Sequence, residues 1–409
     1  MVCEMKKFYK NSAVIISLVL AILLSIVMPI FFINSYESYD YSTGKEVIIT
    51  GLDGFEARRE KIQKTSGVLN IEKLNDALTF YKSLPKGETA YFQMEEEYPG
   101  IFFLLKEAYM PITGSCELPS TGSCEFQISN LANVDNFYDR NIKKIEGKID
   151  LYVGNSLSNS EKQEALKRAY NIEKPFTFEF IDGWPILIKS LFFVYFAIIF
   201  SAIIISNQIF SFEKEQNMDI ILNAAGRKNL ISIGFKKVLA LCTYLTLEFL
   251  ICSIIVSSIV FGFLGVSGWN AQIQILPEFF MVIHNLSFGQ LYIYYMIIAW
   301  ISILCIALIG AFINSIFQKT YTSLIVSSLL IVPPMFLRNS GYLPMGVKKF
   351  LHTQPINGVN LFSFIISLYS YNLINRRVLT LTAVLVFVVG CSIICISLSP
   401  LIFEHRINR

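Results

Sequence analysis

Six stretches of the chain are nearly free of charged residues and are long enough to cross a lipid bilayer as helices. The hydrocarbon core of a bilayer requires about 20 consecutive apolar residues of helix. The fifth stretch is the shortest, and it runs into Pro333-Pro334. The predicted spans are residues 12–34, 185–206, 238–264, 288–313, 321–337 and 379–403. This pattern predicts a polytopic α-helical membrane protein with six transmembrane helices.

The first stretch could in principle be a cleaved signal peptide. Residues 13–33 carry no charge over 21 positions, whereas the apolar region of a signal peptide has about 7–15 residues. No small-residue cleavage motif follows, because the chain continues with Asn34, Ser35 and Tyr36. We therefore expect residues 1–34 to form a short N-terminal segment and an uncleaved first transmembrane helix.

Residues 35–184, between the first two spans, have the pattern of a folded polar domain. Apolar residues at helical spacing follow Asn70, a suitable N-cap, and predict a helix over 71–81. A capping-box pattern at Ser160 predicts another helix toward Tyr170. Further patterns predict a helix over 137–149 and strands over 47–50 and 176–180. The segment is predicted to be an α+β domain inserted between helices 1 and 2.

Composition and charge support this division. The chain is 54% hydrophobic and 16% charged, against about 25% charged in soluble domains, which excludes an ordinary soluble protein. Lys and Arg are enriched in cytoplasmic loops. If the N-terminus is cytoplasmic, the short inside segments hold eleven Lys and Arg and the short outside loops five. We expect a multi-pass membrane protein with both termini inside, an extracytoplasmic domain at 35–184, and helices 2–6 within 185–409.

Two of the eight cysteines, Cys116 and Cys124, fall within the inserted domain. An extracytoplasmic compartment permits a disulfide between them, and free thiols are the alternative. Their spacing and the lack of nearby ligands argue against a metal site.

Motifs for nucleotide binding and catalysis are missing. The chain has no Gly-x-x-x-x-Gly-Lys-Ser/Thr loop, no Gly-x-Ser-x-Gly and no His-Glu-x-x-His. We therefore predict no catalytic residue, no metal and no directly bound cofactor. If ATP drives this protein, another polypeptide binds it.

The loop after the second span, residues 207–237, is named here the elbow. Apolar residues recur in it at helical spacing, and Gly226 and Arg227 suit a helix C-terminus. A second short amphipathic segment, 230–238, leads into the third span. The apolar members of the first pattern are Met218, Ile221, Leu222 and Ala225. Such a helix either docks a partner protein or rests on lipid.

The elbow resembles the coupling-helix region of ABC-2 type transporter permeases. An acidic residue, an apolar pair, a Gly-Arg turn and a lysine entering the third span carry the resemblance. In this sequence they are Glu213, Ile221-Leu222, Gly226-Arg227 and Lys236-Lys237. The six spans and the large domain between the first two are also similar to bacterial members of that family.

The resemblance implies a permease subunit of an ATP-driven exporter in the bacterial cytoplasmic membrane. It implies a separate ABC ATPase subunit that binds ATP and Mg²⁺, and a second permease subunit, identical or not, beside this one in the membrane lipid. No nucleic-acid partner is expected. The implied ATPase-coupling interface comprises Glu213, Met218, Ile221, Leu222, Gly226 and Arg227.

Three residues within the spans are candidates for the pathway or its gate. Glu248 is a carboxylate in the middle of the third span, where a charge costs roughly 2.5–3.5 kcal/mol on insertion scales. It either lies on a pathway or hydrogen-bonds a neighbouring hydroxyl. Pro333 and Pro334 cannot donate helical hydrogen bonds, so they either kink an outer gate or end the helix.

The main alternative belongs to another class. The chain could be a membrane sensor or mechanical transmitter that signals between its extracytoplasmic domain and a cytoplasmic partner without moving a substrate. A sensor predicts a ligand pocket in 35–184 and no ATPase partner, whereas a transmitter of permease type keeps the ATPase.

Overall fold

The structure is a computed structural model of the chain. It describes residues 2–8, 11–41, 46–85, 88–109, 128, 130–153, 159–218, 227–338, 340, 342–367, 369–373 and 376–407.

Six helices in the described part are long and apolar enough to cross a membrane, so the prediction of a polytopic helical membrane protein is confirmed. We number them as spans in chain order. Spans 1 and 2 begin within two residues of the predicted positions, and span 3 begins earlier than predicted. The spans are Ser12–Asn34, Gly183–Ser206, Leu230–Leu264, Phe288–Phe317, Thr320–Leu337 and Thr380–Ile407.

Span 3 differs from the prediction at its N-terminal end. Residues 230–238 were expected to form a separate amphipathic segment, but one unbroken helix runs over Arg227–Leu264. No proline interrupts the sequence there, and a polar first turn can extend beyond the bilayer without breaking the hydrogen-bond ladder.

Span 5 consists of two consecutive helices, Thr320–Ile331 and Pro333–Leu337, separated by Val332. Pro333 and Pro334 occupy the first positions of the second helix, where a missing N–H costs least. The prolines therefore interrupt the ladder, and the chain stays helical beyond them.

The chain forms two compact units. Unit 1 comprises Met1–Pro29, Leu187–Ile259 and Tyr294–Arg409, and unit 2 comprises Ile30–Ile186 and Val260–Ile293.

Unit 2 contains the polar segment between spans 1 and 2. The helix predicted after Asn70 is present as Ile71–Ser83, and the Asn70 side chain accepts a hydrogen bond from the Lys73 N–H at 2.9 Å. Of the strand predicted over 176–180, only Thr177–Phe178 is paired. The helices of this segment are Gly51–Thr65, Ile71–Ser83, Glu88–Glu97, Ile101–Tyr109, Phe137–Val153 and Asn159–Tyr170.

Two small antiparallel sheets complete the described part of that segment. Glu37–Asp40 pairs with Val47–Thr50, which confirms the strand predicted at 47–50. Gly67–Val68 pairs with Thr177–Phe178, a strand far away in the sequence.

The loop between spans 3 and 4 folds into unit 2 as well. The Asn141 amide donates to the Phe280 carbonyl at 2.6 Å, and the Gln272 amide oxygen accepts from the Thr177 N–H at 2.7 Å. The two connections, 1–2 and 3–4, therefore lie on the same side of the membrane.

Unit 1 contains most of the membrane-spanning residues, the short helix Val2–Phe8, and the connection between spans 5 and 6. That connection includes the helix Met345–His352 and a hairpin in which Ser370–Leu373 pairs with Arg376–Leu379. The first residues of the chain, the elbow and the turn between spans 4 and 5 meet within unit 1, and this is the part that positions the candidate site.

Candidate functional site

The described part of the elbow contains a short helix, Phe212–Glu215. The Met218 N–H bonds the Glu213 carbonyl at 2.8 Å, and Asn217 has a φ of 53°. This is the hydrogen-bond pattern of a Schellman C-terminus, and asparagine is one of the few residues that adopts the left-handed conformation easily. This short helix therefore ends at Glu215, and the helix end predicted at Gly226 lies outside the described residues.

The rest of the predicted coupling motif is described only in part. Met218 is 42% exposed, as a docking residue would be. The backbone of Arg227 begins the helix of span 3. Ile221, Leu222 and Gly226 lie outside the described residues.

Four charged side chains form a closed ring at the elbow, which we name the charge ring: Glu4, Lys7, Glu213 and Lys237. The Lys7 ammonium lies 2.8 Å from a carboxylate oxygen of Glu4 and 2.8 Å from one of Glu213. The Lys237 ammonium forms ion pairs with Glu213 and, at 3.5 Å, with Glu4. Each charge therefore has two neighbours of opposite sign, and the ring is neutral.

Burial makes the charge ring sensitive to the loss of any member. Lys237 is 1% exposed and donates a further hydrogen bond to the Ile209 carbonyl at 2.8 Å. A buried ion pair is costly to desolvate, and removing one partner leaves an uncompensated charge. The ring joins the helix Val2–Phe8, the elbow and span 3.

The charge ring changes the proton affinities of Glu213 and Lys7. Burial alone raises the pKa of Glu213, but the ammonium groups of Lys237 and Lys7 outweigh it and hold the pKa below its usual value. Burial lowers the pKa of Lys7, and the carboxylates of Glu213 and Glu4 outweigh that effect and raise it. Both groups are therefore held in their charged forms.

Glu215 connects the elbow to span 5. Its carboxylate accepts hydrogen bonds from the Thr320 backbone N–H at 2.8 Å and from the Thr320 hydroxyl at 3.1 Å. Lys319 occupies the N-cap position of span 5 and provides no side-chain cap. Glu215 thus takes the place of a cap, and a carboxylate there also favours the positive end of the helix dipole.

Asn314, near the end of span 4, holds the start of the elbow through hydrogen bonds. Its side-chain oxygen accepts from the backbone N–H groups of Phe210 and Ser211 at 2.7 and 3.0 Å. Its amide nitrogen donates to the Asn207 carbonyl at 2.6 Å and to the Ser323 hydroxyl at 2.9 Å. The four bonds use the full capacity of a buried amide, so the start of the elbow is linked to spans 4 and 5 at this position.

Glu248 is buried in span 3 and accepts a hydrogen bond from the Ser201 hydroxyl of span 2 at 3.0 Å. The Ser201 oxygen in turn accepts from Ser17 of span 1 at 3.2 Å. Among the described residues, none bonds the second carboxylate oxygen of Glu248. A hydrogen bond to a neighbouring hydroxyl, one of the two alternatives, is therefore present, and a role in a pathway remains a prediction.

Pro333 and Pro334 remove the helical donors for the carbonyls of Leu329 and Leu330, four residues earlier. Both leucines are exposed in the chain by itself. In a hydrocarbon environment such carbonyls require protein or water next to them. The gating role of these prolines remains a prediction.

The remaining sequence predictions concern the two cysteines of the inserted domain and metal binding. Cys116 and Cys124 lie outside the described residues. Within the described ranges, no three side chains of the kinds that bind metals come together.

Trp184, at the start of span 2, has the position of an aromatic anchor at the lipid headgroups, but it is 3% exposed. It donates to the Ser267 carbonyl at 2.9 Å and stacks on Phe288 at 5.6 Å. The indole is enclosed because the loop between spans 3 and 4 folds over it within unit 2.

The comparisons with known proteins give no relative. No protein-family model matches the chain, no curated protein matches it, and no solved structure matches it.

Sequence reasoning missed Glu4, Lys7, Glu215 and Asn314. The available signals were weak: Asn314 is an amide in an apolar run, and Lys237 is a charge inside what became the helix of span 3. Nothing in the sequence indicates that residues 4 and 7 pair with residues more than two hundred positions later.

Proposed function

We propose that this chain is the membrane-spanning permease subunit of an ATP-driven exporter of the ABC-2 type. A separate nucleotide-binding subunit contacts the elbow from the cytoplasm, and a second permease subunit completes the pathway. ATP and Mg²⁺ bind on the partner. The movement that ATP hydrolysis drives there is transmitted through the elbow.

One observation carries the proposal: the elbow is fastened to four structural elements at once. The charge ring joins it to the helix Val2–Phe8 and to span 3. The Glu215 and Asn314 bonds join it to spans 4 and 5. A force applied to the elbow would therefore reach several spans together, which is what an ATP-driven permease requires.

The exposure of Met218 fits the same proposal. An apolar side chain that is 42% exposed, directly after a helix end, is available to a partner. The predicted apolar stripe continues from it through Ala225.

Affinity purification of the tagged chain from native membranes tests the proposal. The intact chain is expected to carry with it a polypeptide with a phosphate-binding loop. Deletion of residues 218–225 should abolish that co-purification while membrane insertion stays normal. A Gln216→Ala variant, changed at an exposed position just before the deletion, should retain the partner.

Co-purification at the wild-type yield after the deletion would show that the elbow is not the docking site. Absence of any phosphate-loop protein from the intact complex would contradict the permease assignment itself. ATP-dependent uptake into inverted vesicles then separates an exporter from a transmitter that moves no substrate.

A sensor is the second candidate function. It is favoured by a cleft in unit 2 that is lined by residues directly adjoining spans 1 and 2, Tyr36 and Asp182. Ligand-dependent signalling without an ATPase partner would support it.

A further inference from the structure

Unit 2 contains a cleft of about 460 Å³. This volume lies in the range of sites for small molecules, roughly 300–1,000 Å³. Its walls come from the first strand, from the helices Gly51–Thr65, Glu88–Glu97 and Ile101–Tyr109, and from the residue that precedes span 2. None of the residues that line the cleft belongs to the elbow or to the residues proposed for transport.

Aromatic rings form much of the wall. They are Tyr36, Tyr39, Tyr41, Tyr91 and Phe103. Tyr39 and Tyr41 are stacked, with centroids 6.3 Å apart, and Tyr41 meets Tyr91 edge to face at 6.1 Å. The faces of such rings attract cations through their quadrupole.

Among the described residues that line the cleft, carboxylates outnumber cations. Glu37, Glu46, Glu95 and Asp182 line it, against Arg58. The Arg58 guanidinium is already engaged, because it lies 2.9 Å from a carboxylate oxygen of Glu95. The cleft therefore has an excess of negative charge after its own arginine is paired.

Burial shifts Asp182 toward its neutral form. Burial raises its pKa, and Arg58 and the hydrogen bond from Tyr36 only partly oppose this. Glu37 and Glu46 are exposed at the rim. Even with Asp182 neutral, three carboxylates remain against one guanidinium.

Glu95 has an unused acceptor. The side chain is 3% exposed, and its Oε2 atom accepts from Arg58 and, at 3.3 Å, from the Gly100 N–H. Within the described part of the chain, no group donates to Oε1. A buried carboxylate oxygen without a donor costs free energy, which a ligand with an N–H group would recover.

The evidence is the aromatic wall, the excess of carboxylates and the unused acceptor of Glu95. From it we propose that the cleft binds an organic cation that carries a primary ammonium group on an apolar or aromatic body. The ammonium donates to Glu95 and lies among the tyrosine rings, and the apolar body packs along Tyr39 and Phe103. Binding of this kind stands independently of the transport proposal, since a permease, a transmitter and a sensor could each use it.

Three probes of nearly equal size and different charge test the proposal on the full chain in lipid nanodiscs. They are 2-phenylethylamine, 2-phenylethanol and phenylacetate, measured by isothermal titration calorimetry at pH 7.5 against empty nanodiscs. The amine is expected to bind at least about tenfold more tightly than the alcohol, and phenylacetate should not bind. Equal binding of amine and alcohol, or preferential binding of phenylacetate, would overturn the proposal.

Variants then locate the site. Glu95→Gln should weaken amine binding at least about tenfold, and Glu46→Gln, at the exposed rim, about two- to threefold. Glu60→Gln changes an exposed carboxylate on the Arg58 helix outside the cleft and should have no effect.

Circular dichroism and size exclusion establish that each variant is folded. If Glu95→Gln does not fold, the Glu46 and Glu60 variants and the three probes still determine whether the amine binds in the cleft. Amine binding that is unchanged by Glu46→Gln, or weakened equally by Glu60→Gln, would place the ligand elsewhere. Because binding is measured without ATP or a partner, a negative result leaves the transport proposal unaffected.

Discussion

Lys236 and Lys237 are neighbours in the helix of span 3 with opposite surroundings. Lys236 is exposed, whereas Lys237 is buried in the charge ring with two carboxylates and a backbone carbonyl. Lys237→Met should lower the free energy of unfolding by about 3 kcal/mol, because it leaves buried Glu213 without its closest partner. The matched Lys236→Met should change it by less than about 0.5 kcal/mol.

Unfolding in mixed micelles, followed by circular dichroism, measures both values. Equal effects of the two lysine substitutions would mean that the charge ring contributes nothing to stability.

Glu213 also gives stability a defined pH dependence. Because its pKa is lower in the folded chain, its contribution is fully present above the unfolded value of about 4.3 and is lost as the pH falls through the folded value. The pKa of Lys7 is raised, so its contribution is lost only as the pH rises through its folded value, above about 10.4. The groups facing Glu213 are Lys7, Lys237 and, across the ring, Glu4.

Thermal unfolding midpoints between pH 7 and pH 3 should therefore fall less steeply for Glu213→Gln than for the unaltered chain. The variant begins from a lower midpoint at pH 7. An identical acid slope for the two proteins would contradict the assignment of the acid-sensitive group.

At the scale of elements, the cap that Glu215 supplies to span 5 crosses between two parts of the chain. Glu215→Ala should destabilise the first turn of span 5 by about 1 kcal/mol, since the Thr320 N–H and hydroxyl both lose their acceptor. Hydrogen exchange should accelerate at residues 320–323, and Gln216→Ala should leave it unchanged. Faster exchange throughout the spans instead would indicate general destabilisation.

The elements that could be predicted are those whose signal is local. Six apolar runs identified the six spans, and Asn70 with its apolar stripe identified the helix Ile71–Ser83. Both depend only on residues within a few turns of one another.

What could not be predicted depends on contacts between distant residues. Lys237 gave no sign that it pairs with Glu4, because a pair of lysines before an apolar run is also typical of a membrane boundary. Trp184 likewise has the pattern of a headgroup anchor, and only the folding of residues 265–287 over it makes it a core residue. The charge ring and the cleft both fall in this class.

At the scale of the whole molecule, the contacts sort the connections into two groups. Unit 2 joins the connection between spans 1 and 2 to that between spans 3 and 4. Unit 1 joins the start of the chain to the elbow and to the turn between spans 4 and 5.

Cysteine labelling should assign these groups to the two faces of the membrane. In a background with Cys3, Cys116 and Cys124 changed to serine, Glu60→Cys should react with an impermeant thiol reagent in intact cells. Gln216→Cys should react only after the cells are opened, because the excess of Lys and Arg predicts a cytoplasmic elbow. The reverse result would invert the molecule and rule out docking of a cytoplasmic ATPase at the elbow.

The large sequence separation between members of the charge ring has a consequence for biosynthesis. Lys7 and Glu213 are 206 positions apart, and Lys237 follows later still. A ribosome releases Glu4 and Lys7 first, so the nascent helix Val2–Phe8 must wait, with its charges in water or at the lipid surface, until three spans have been inserted. Closure of the ring therefore marks the moment at which the first half of the protein is assembled.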